Sequence, residues 1–323
     1  MNKNLSYTFV GLTLVAALWA SCSDKKPKSG RTDTASSGVI SFASDESFSP
    51  IIEEEREVFE KIQCKGNAEL KPIYTSESEG ITKLLKSEVY LMISARNFKE
   101  EERQSLIDRG LTPLAMILAF DGLSLIQNKE NTDSCITVAD IRRILNGEVT
   151  KWSDIYPGSK KGEITVVFDN KKSSAVHYVE DSILGGKSIA NPNVAAVQTS
   201  AEVINYVEKT PGAIGVIGSN WLDDKRGDGS VARNRNIRTM SVTKLDKATP
   251  SNSRKPDQYY IYSQEYPLIR TIYALVTDPR RGLPWGFAHF LESPRGQMII
   301  FQTGYMLPYR GDIRLKSIHV NEE

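Results

Sequence analysis

The chain has 323 residues, with 41 Lys plus Arg against 40 Asp plus Glu, and 40% of its residues are hydrophobic. This balance of charge excludes a general nucleic-acid binder, which needs a surplus of basic side chains to displace counterions from phosphates. The length suffices for two domains with separate cores, and 22 Gly with 14 Pro exclude a fibrous or largely disordered chain.

The N-terminal segment predicts export. After a basic start, residues 7–20 are apolar or small, a run too short to span a bilayer, so residues 1–21 are expected to be a signal peptide. The end of this run, Ala20-Ser21-Cys22, resembles the lipobox of bacterial lipoproteins and implies a lipid on Cys22. Trp19 departs from that motif, which usually has an aliphatic residue there. Plain secretion and a retained anchor stay open as alternatives.

Residues 22–38 are polar and lack an apolar period, which predicts a flexible, lipid-anchored tether. The expected location is the cell envelope, as a periplasmic or surface lipoprotein attached to a membrane. If Cys22 carries lipid, Cys64 and Cys135 are the remaining cysteines, and two separate buried thiols or one disulfide are both compatible with the sequence.

From residue 38 onward, short apolar runs alternate with longer amphipathic segments, which is typical of an α/β fold with parallel strands. In chain order we predict a strand, a helix, a strand, a helix and a strand at residues 39–43, 50–62, 70–74, 80–86 and 89–94. Residues 114–127 predict a long strand that crosses between two lobes. The same alternation then recurs at residues 139–145, 164–168, 174–184, 201–208 and 213–218, and indicates a second α/β lobe.

The C-terminal third begins with a charged, glycine-rich stretch, residues 223–230, that predicts a surface loop. Residues 266–276 are again apolar, and residues 285–291 and 294–302 predict helices. Ser293 before Pro294 fits an N-cap, and Gly304 fits the end of the last helix.

Three segments combine a strand end, a polar turn with serine and a helix start: residues 44–50, 74–80 and 168–174. In the first, Ser49 is the expected N-cap and Pro50 the first helical residue. The N-terminus of a helix offers unpaired N–H groups and a partial positive charge, so it suits an anion. Each serine alone is more simply explained as a helix cap. Because strand ends in an open α/β sheet converge on one crevice, the three together predict an anion site.

Signals for catalysis are weak, and we expect no enzyme, no metal and no cofactor. His177, His289 and His319 lack metal-ligand spacing, and a packed or surface role is expected for each. Residues 185–188 end like a phosphate-binding P-loop, but Asp181 replaces its first glycine and the segment follows a predicted helix. No nucleophile with an adjacent base is apparent.

Several patches are similar to the phosphate-binding proteins of ABC-type phosphate importers. They occur in that family's order and are residues 121–128, 136–147, 151–154, 211–218 and 293–304. The resemblance implies a type II periplasmic-binding-protein fold, with two α/β lobes joined by hinge crossover strands. It places the first lobe at 39–119 and 263–323 and the second at 120–262. It also implies inorganic phosphate as ligand, importer permease subunits as partners and a monomer.

The resemblance also implies which residues contact phosphate. The family's Thr-Phe at the first helix start corresponds to Ser47-Phe48, and its serine before the second helix to Ser76 or Ser78. The third helix start corresponds to Ser173-Ser174. These positions agree with the three serine-bearing turns found from capping patterns.

Two departures from the family concern charge. Residues 93–97 lack the family's Asp, which accepts the proton of phosphate, and residues 168–170 lack its Arg. We therefore expect Arg96 to be the cationic donor and Asp169 the proton acceptor, an exchange across the cleft. Asp45, Glu46 and Asp121 are alternative acceptors, and Asp169-Asn170 is alternatively a turn that caps the next helix.

The predicted function is capture of inorganic phosphate in a cleft between the lobes, for delivery to an ABC importer. One alternative keeps the fold and changes the ligand to sulfate, molybdate or another oxyanion. Another is an adhesion or assembly module whose cleft serves a protein or cell-surface partner.

Overall fold

A computed structural model describes residues 30–222 and 236–310. Residues from Asp33 onward belong to one compact unit, and residues 30–32 belong to a separate N-terminal unit. The predicted signal peptide, Cys22, the loop at 223–230 and His319 lie outside the described residues. Among the residues described, none of the helices combines the length and apolar composition needed to cross a bilayer.

The strands carry the apolar runs of the sequence. They are β1 Gly38–Asp45, β2 Ala68–Thr75, β3 Leu91–Ser94, β4 Leu114–Asn128, β5 Cys135–Thr137, β6 Thr165–Phe168, β7 Val194–Ala196, β8 Ala213–Gly218, β9 Ile237–Thr239, β10 Ser241–Thr243, β11 Ile269–Val276 and β12 Leu307–Pro308.

The helices fill the amphipathic segments between strands. They are α1 Ser49–Val58, α2 Glu77–Leu85, α3 Glu100–Asp108, α4 Val138–Leu145, α5 Ser174–Tyr178, α6 Ser200–Lys209, α7 Gln258–Tyr262, α8 Leu283–Glu292 and α9 Pro294–Gln302. Short 3-10 turns occupy Glu46–Phe48, Trp152–Asp154 and Ser219–Trp221. Wider π turns, Phe59–Gln63 and Val179–Ile183, extend α1 and α5.

One large sheet runs through the molecule in the order β2-β1-β3-β11-β4-β8-β6-β7. β1 pairs parallel with β2 and β3, and β6 pairs parallel with β7 and β8, as the alternating pattern predicts. The two central strands, β4 and β11, run antiparallel to each other and to their outer neighbours. The sheet is therefore mixed, because these strands connect the lobes and do not follow a βαβ crossover.

The cores lie on either side of this crossover. In β4, apolar side chains up to Ala119 pack in the core of the first lobe, with Phe42 and Phe287. From Leu123 onward they pack in the core of the second lobe, with Trp152. Near β11, Leu268 packs in the core of the second lobe and Ile272 in the core of the first, so the chain passes between the lobes between these residues. This two-lobe α/β arrangement is the fold class predicted from the sequence, whereas the exact lobe boundaries stay predictions.

Residues 33–38, at the end of the predicted tether, pack on the compact unit. Asp33 is 8% exposed, and its Oδ2 accepts the N–H of Leu283, the first residue of α8, at 2.7 Å. A Cβ at Gly286 of α8 would collide with the carbonyl of Ala35, so glycine permits this close approach.

Capping predictions are confirmed at three helices and wrong at one. The hydroxyls of Ser76, Ser173 and Ser293 cap α2, α5 and α9. Ser49 does not cap α1, since a 3-10 turn precedes that helix and the side chain of Asp45 caps the turn. The chain therefore turns earlier than Pro50 indicates.

Cys64 and Cys135 are separate buried thiols, one in a core of each lobe or beside it. Of the two arrangements left open by the sequence, the structure has the unpaired one.

Candidate functional site

Polar side chains from both lobes meet where β1 and β6 end and where β4 and β11 cross. We call them the central cluster: Asp45, Ser47, Asp121, Asp169, Ser174 and Arg270. Each is at most 3% exposed. The cluster is thus a buried polar site between the lobes, at the carboxyl ends of parallel strands, where ligands bind in open α/β sheets.

Asp45 of the first lobe inserts its carboxylate between the turns of both lobes. Its Oδ1 accepts the N–H of Ser47 at 3.0 Å and also the hydroxyl of Ser47. Its Oδ2 accepts the N–H of Ser174, at the start of α5, at 3.1 Å. The donors that the sequence predicts for an oxyanion therefore hold a carboxylate of the protein itself.

The hydroxyls of Ser47 and Ser174 bring the two helix starts together. Their Oγ atoms are 3.3 Å apart, although the residues are 127 positions apart in the chain. Ser47 Oγ is also 3.4 Å from Oδ2 of Asp169. One hydroxyl thus faces two carboxyl groups, Asp45 and Asp169.

Arg270 is the cation of the central cluster. Its Nε donates to Asp121 Oδ2 at 2.9 Å, and its Nη1 donates to Ser174 Oγ at 2.8 Å. Its Nη2 lies 2.8 Å from the same Asp121 oxygen but is not directed for a hydrogen bond. The guanidinium also lies over the ring of Phe48, 4.7 Å from the centroid. Nη2 of Arg270 is therefore a buried nitrogen with two hydrogens and no hydrogen-bond acceptor among the described residues.

Asp121 holds both Arg270 and the turn after β8. Besides its ion pair, it accepts the N–H of Ser219 at 2.9 Å and the hydroxyl of Ser219. The register of the crossover strands places Asp121 opposite Arg270, so the pair is built into the sheet. Asp121 therefore orients Arg270. None of its described hydrogen bonds reaches Ser47 or Ser174.

The residues after β8 clamp the first helix start from the other lobe. Asn220 Nδ2 and Trp221 Nε1 donate to the carbonyl of Ser47 at 2.8 and 3.1 Å. Gly218 permits this packing, because a Cβ there would lie 2.9 Å from Arg270 Nη2 and 3.2 Å from Ser47 O. The 3-10 turn that carries Ser47 is therefore held from both sides.

Burial controls the protonation of the two facing carboxyl groups. Burial raises the pKa of Asp45, and the nearby carboxylate of Glu77 raises it further. Burial, together with the charge of Asp45, raises the pKa of Asp169 to about 7. Both groups therefore hold protons at pH values where an exposed Asp is ionised.

Glu46, next to Asp45, makes a second contact with the other lobe. Its Oε2 accepts the N–H and the hydroxyl of Ser200, at the start of α6, at 3.0 and 2.7 Å. Burial raises the pKa of Glu46 to about 7. Adjacent acidic residues of the first lobe thus occupy the N-termini of two helices of the second.

The second predicted helix start, at Ser76 and Ser78, lies beside the cluster and has other partners. Ser76 caps α2, and Ser78 Oγ is 3.3 Å from His177 Nε2. His177 Nδ1 lies 2.7 Å from Glu77 Oε2, and Glu77 is buried while the histidine side chain is 30% exposed. We call this contact between α2 and α5 the Glu77–His177 pair.

The Glu77–His177 pair favours the charged forms of both groups. The hydrogen bond that His177 donates to Glu77 is the largest contribution to the raised pKa of His177. Burial works to raise the pKa of Glu77, but bonds from His177, Ser94 and the N–H of Ala95 outweigh it, and the pKa is lowered. His177 therefore joins the lobes through a specific contact with Glu77, which the sequence did not predict.

The side chains of Arg96 and Asn170 do not enter the central cluster, although the N–H of Asn170 donates to Asp169 Oδ1 at 3.0 Å. Both oxygens of Glu102 accept the guanidinium of Arg96, at 2.7 and 2.8 Å. Asn170 Oδ1 accepts the N–H of Lys172 within its own turn. Of the two residues in the predicted exchange, Asp169 lies in the central cluster and Arg96 lies outside it, where its partner is Glu102. The cation of the cluster is Arg270.

Sequence reasoning did not single out Arg270, Ser219, Asn220 or Glu77. One usable signal existed for Arg270: it is the single charged residue in the apolar stretch 266–276, and a buried charge requires a partner. Among the residues described, no group of three or more His, Cys, Asp or Glu side chains is arranged to hold a metal ion.

Known proteins share this fold. The chain resembles a crystal structure of a putative phosphate ABC transporter substrate-binding protein with bound phosphate from Clostridium perfringens, with a TM-score of 0.67 and 19% identity over 84% of this chain and 100% of that one. An ABC-type phosphate transport receptor from Vibrio cholerae gives a TM-score of 0.61 and 21% identity over 83% and 100%. The phosphate-binding protein PstS of Borreliella burgdorferi is 24% identical over 83% of this chain and 89% of its own length.

Two α/β lobes joined by crossover strands, with a buried polar cluster between them, are the architecture of the type II periplasmic-binding-protein fold. A sequence profile described as "PBP superfamily domain" matches residues 29–295, most of the chain. The chain belongs to this superfamily.

Proposed function

We propose that this protein captures inorganic phosphate in the cleft between its lobes and delivers it to an ABC importer. The observation that carries the proposal is the meeting of Ser47 and Ser174, from helix starts of opposite lobes, beside the guanidinium of Arg270. A relative named as a phosphate-binding protein and a structural neighbour with bound phosphate agree with it. This function breaks no bond and requires no cofactor.

The donors of the cluster suit a tetrahedral oxyanion. Phosphate needs several directed N–H and O–H donors once it leaves water, and charged donors make the stronger bonds. The N–H groups of Ser47 and Ser174 already donate to the two carboxylate oxygens of Asp45, so they can donate to two oxygens of a ligand with the same spacing. Binding then requires the Asp45 carboxyl to share these donors with the ligand or to move aside.

A carboxyl group at the ligand would select phosphate over sulfate. Phosphate carries a proton near neutral pH and donates it to a carboxylate, whereas fully ionised sulfate has none and is repelled. Asp169 and Asp45 are the acceptors that we propose, because both lie within reach of Ser47 Oγ. Glu46 is a poorer acceptor, since its bonds go to Ser200.

Thermal unfolding with phosphate or sulfate added at matched ionic strength tests the proposal. Phosphate at about a thousand times its dissociation constant should stabilise the protein by roughly 4 kcal/mol and raise Tm by several degrees. Ser174→Ala should reduce this shift, and the matched control Ser105→Ala, at an exposed position of α3, should not. An equal shift with sulfate would favour a general oxyanion binder, and no shift with either anion would favour an adhesion or assembly module.

We further propose that the protein acts as a monomer in the cell envelope, held at a membrane by lipid on Cys22. The sequence pattern before Cys22 supports this proposal. Metabolic labelling with a fatty acid should mark the wild-type protein and not Cys22→Ala, whereas an unlabelled wild-type protein would favour plain secretion.

A further inference from the structure

The hydroxyl of Ser47 faces more hydrogen-bond acceptors than it has hydrogens to donate. Ser47 Oγ has one hydrogen and lies beside Oδ1 of Asp45 and Oδ2 of Asp169. Backbone N–H groups of Ser47, Ser174 and Asn170 donate to other positions on these carboxyl groups, but the single hydroxyl hydrogen can be donated to only one of the two oxygens beside Ser47 Oγ. A proton on Asp169 completes the network, because the carboxyl then donates to Ser47 Oγ while the serine donates to Asp45.

The charges of the cluster lead to the same requirement. The hydrogen-bond network that contains Asp45, Asp121 and Asp169 includes one cation, Arg270, and the ion pair of Arg270 is with Asp121. All of these side chains are at most 3% exposed, so water does little to screen them.

The groups facing the Asp45–Asp169 pair from neighbouring elements do not balance it. Glu77 from α2 and Glu46 from the 3-10 turn add negative charge near the pair, and His177 of α5 and Arg270 of β11 oppose it. His177 is bonded to Glu77 and Arg270 to Asp121, so each cation is already matched by its own carboxylate. The Asp45–Asp169 pair is left without a dedicated cation among the described residues.

A phosphate anion that enters this site brings further negative charge into a buried, already acidic cluster. We propose that phosphate enters the cleft together with a proton from solvent, held by the Asp45 and Asp169 carboxyl groups where they meet Ser47. The proton forms an O–H bond on one of these carboxyl groups, and that O–H donates to Ser47 Oγ, while the carboxyl group that stays ionised accepts the hydrogen of phosphate. This inference rests on the proposed function and specifies the form in which the ligand is taken.

The protonation of the free protein makes the coupling depend on pH. Burial already raises the pKa of Asp169 to about 7, and a bound anion raises it further. Well below this value the carboxyl is protonated before binding, and little uptake follows. Above it the carboxyl is ionised, so binding must draw the proton from solvent.

Isothermal titration calorimetry of the purified protein with inorganic phosphate tests this coupling. Titrations at each pH use two buffers of different ionisation enthalpy, because the difference in heat counts the protons taken up. We expect uptake to rise towards about one proton per phosphate as the pH rises past the pKa of Asp169, with affinity falling up to about tenfold per pH unit. Uptake that is absent throughout this range overturns the inference.

Variants separate a proton on the protein from a proton on the ligand. Asp169→Asn and Asp45→Asn keep an acceptor oxygen and cannot take up a proton, so each should reduce the proton count. Asp108→Asn, at an exposed position of α3, removes a carboxylate away from the cluster and should leave the count unchanged. A proton count that stays unchanged in both cluster variants means that the ligand alone carries the proton, and overturns the inference.

The same titrations distinguish this inference from the proposed function. Phosphate binding without proton uptake overturns the inference and leaves phosphate capture intact. No phosphate binding at any pH overturns the proposed function and the inference with it. The count in the wild-type protein stands even if one of the variants does not fold, and circular dichroism identifies such a variant.

Discussion

The central cluster and the Glu77–His177 pair both join the lobes, and they differ in how their charge is balanced. The central cluster has three buried aspartates for one arginine, and its side chains are at most 3% exposed. The Glu77–His177 pair matches one acid with one base, and the histidine side chain is 30% exposed. A balanced pair at the rim can close the cleft without a ligand, whereas an unbalanced buried cluster responds to whatever anion or proton enters.

The difference arises from where each contact lies in the fold. The cluster lies at the ends of β1 and β6 and on the two crossover strands, where its side chains are almost fully buried. The Glu77–His177 pair joins the first turn of α2 to α5, at the edge of the same cleft. Burial strengthens each electrostatic interaction in the cluster, and solvent weakens those of the pair.

Removing the cation should break the cluster and produce the largest effect. Arg270→Ala leaves Asp121 buried without its ion-pair partner, so we expect the free energy of unfolding to fall by about 3–5 kcal/mol, with loss of phosphate binding. Chemical denaturation and calorimetry measure both. Arg96→Ala is the matched control: its ion pair with Glu102 is partly exposed, and its loss should cost about 0–1 kcal/mol. If the control lowers phosphate affinity as much as Arg270→Ala, the exchange predicted for Arg96 is correct.

Removing one of the unbalanced acids should stabilise the ligand-free protein at high pH. The folded pKa of Asp169 is raised from 3.8 to about 7, so wild-type stability falls as the pH rises between these values and stays lowered above them. Asp169→Asn should therefore gain about 1–3 kcal/mol above pH 7 relative to wild type, and nothing below the ordinary pKa of Asp. Denaturation at several pH values checks this, and a gain independent of pH would contradict it.

A buried acid outside both contacts provides a reference for this pH dependence. Glu55 of α1 is fully buried, and neither of its side-chain oxygens has a hydrogen-bond partner among the described residues. Burial raises its pKa well above 4.5, so it too lowers stability as the pH rises through that pKa. Glu55→Gln should gain about 1 kcal/mol at neutral pH and leave the pH dependence of phosphate affinity unchanged. A changed dependence would show that Glu55 is coupled to the cluster.

Breaking the Glu77–His177 pair should produce the smallest effect. Because the folded pKa of His177 is raised above 6.5, its contribution is complete below 6.5 and is lost as the pH rises through the folded value. The lowered pKa of Glu77 adds an acid limit, since its contribution is lost as the pH falls below 4.5. His177→Gln should cost about 0.5–1 kcal/mol between these limits and less outside them.

The control for the pair is His289→Gln in α8, where the histidine ring stacks on Trp285. It changes the same residue type without touching the Glu77–His177 contact. Denaturation curves for both variants across the pH range should differ in shape. Parallel curves would mean that the Glu77–His177 pair contributes no titrating interaction.

Much of the fold was readable from local patterns. The strand at 114–127, the strand at 213–218 and the helix at 294–302 were predicted within a residue or two, because apolar periodicity, Ser293 and Gly304 mark them locally. The antiparallel direction of β11 was not predicted, since an apolar run does not reveal how a strand is oriented relative to the strands beside it. The helix α3, whose sequence is highly charged, gave no apolar period and was missed.

The candidate site was only partly readable. Capping patterns led to the turns that contain Ser47 and Ser174, and the family resemblance singled out these two residues and Asp169. Arg270 was missed because its function depends on Asp121, 149 residues away, which faces it in the register of the crossover strands. No rule of local spacing relates such positions.

The amino-acid sequence by itself determined the alternation of strands and helices, two lobes and the serine-bearing helix starts, since each depends on residues that are neighbours in the chain. Tertiary structure alone decided which of these groups meet. It brought Ser47 to Ser174 across 127 residues and joined Glu77 to His177 across 100. It also decided which groups hold protons, because the pKa of a carboxyl group depends on burial and nearby charges that exist only once the chain has folded.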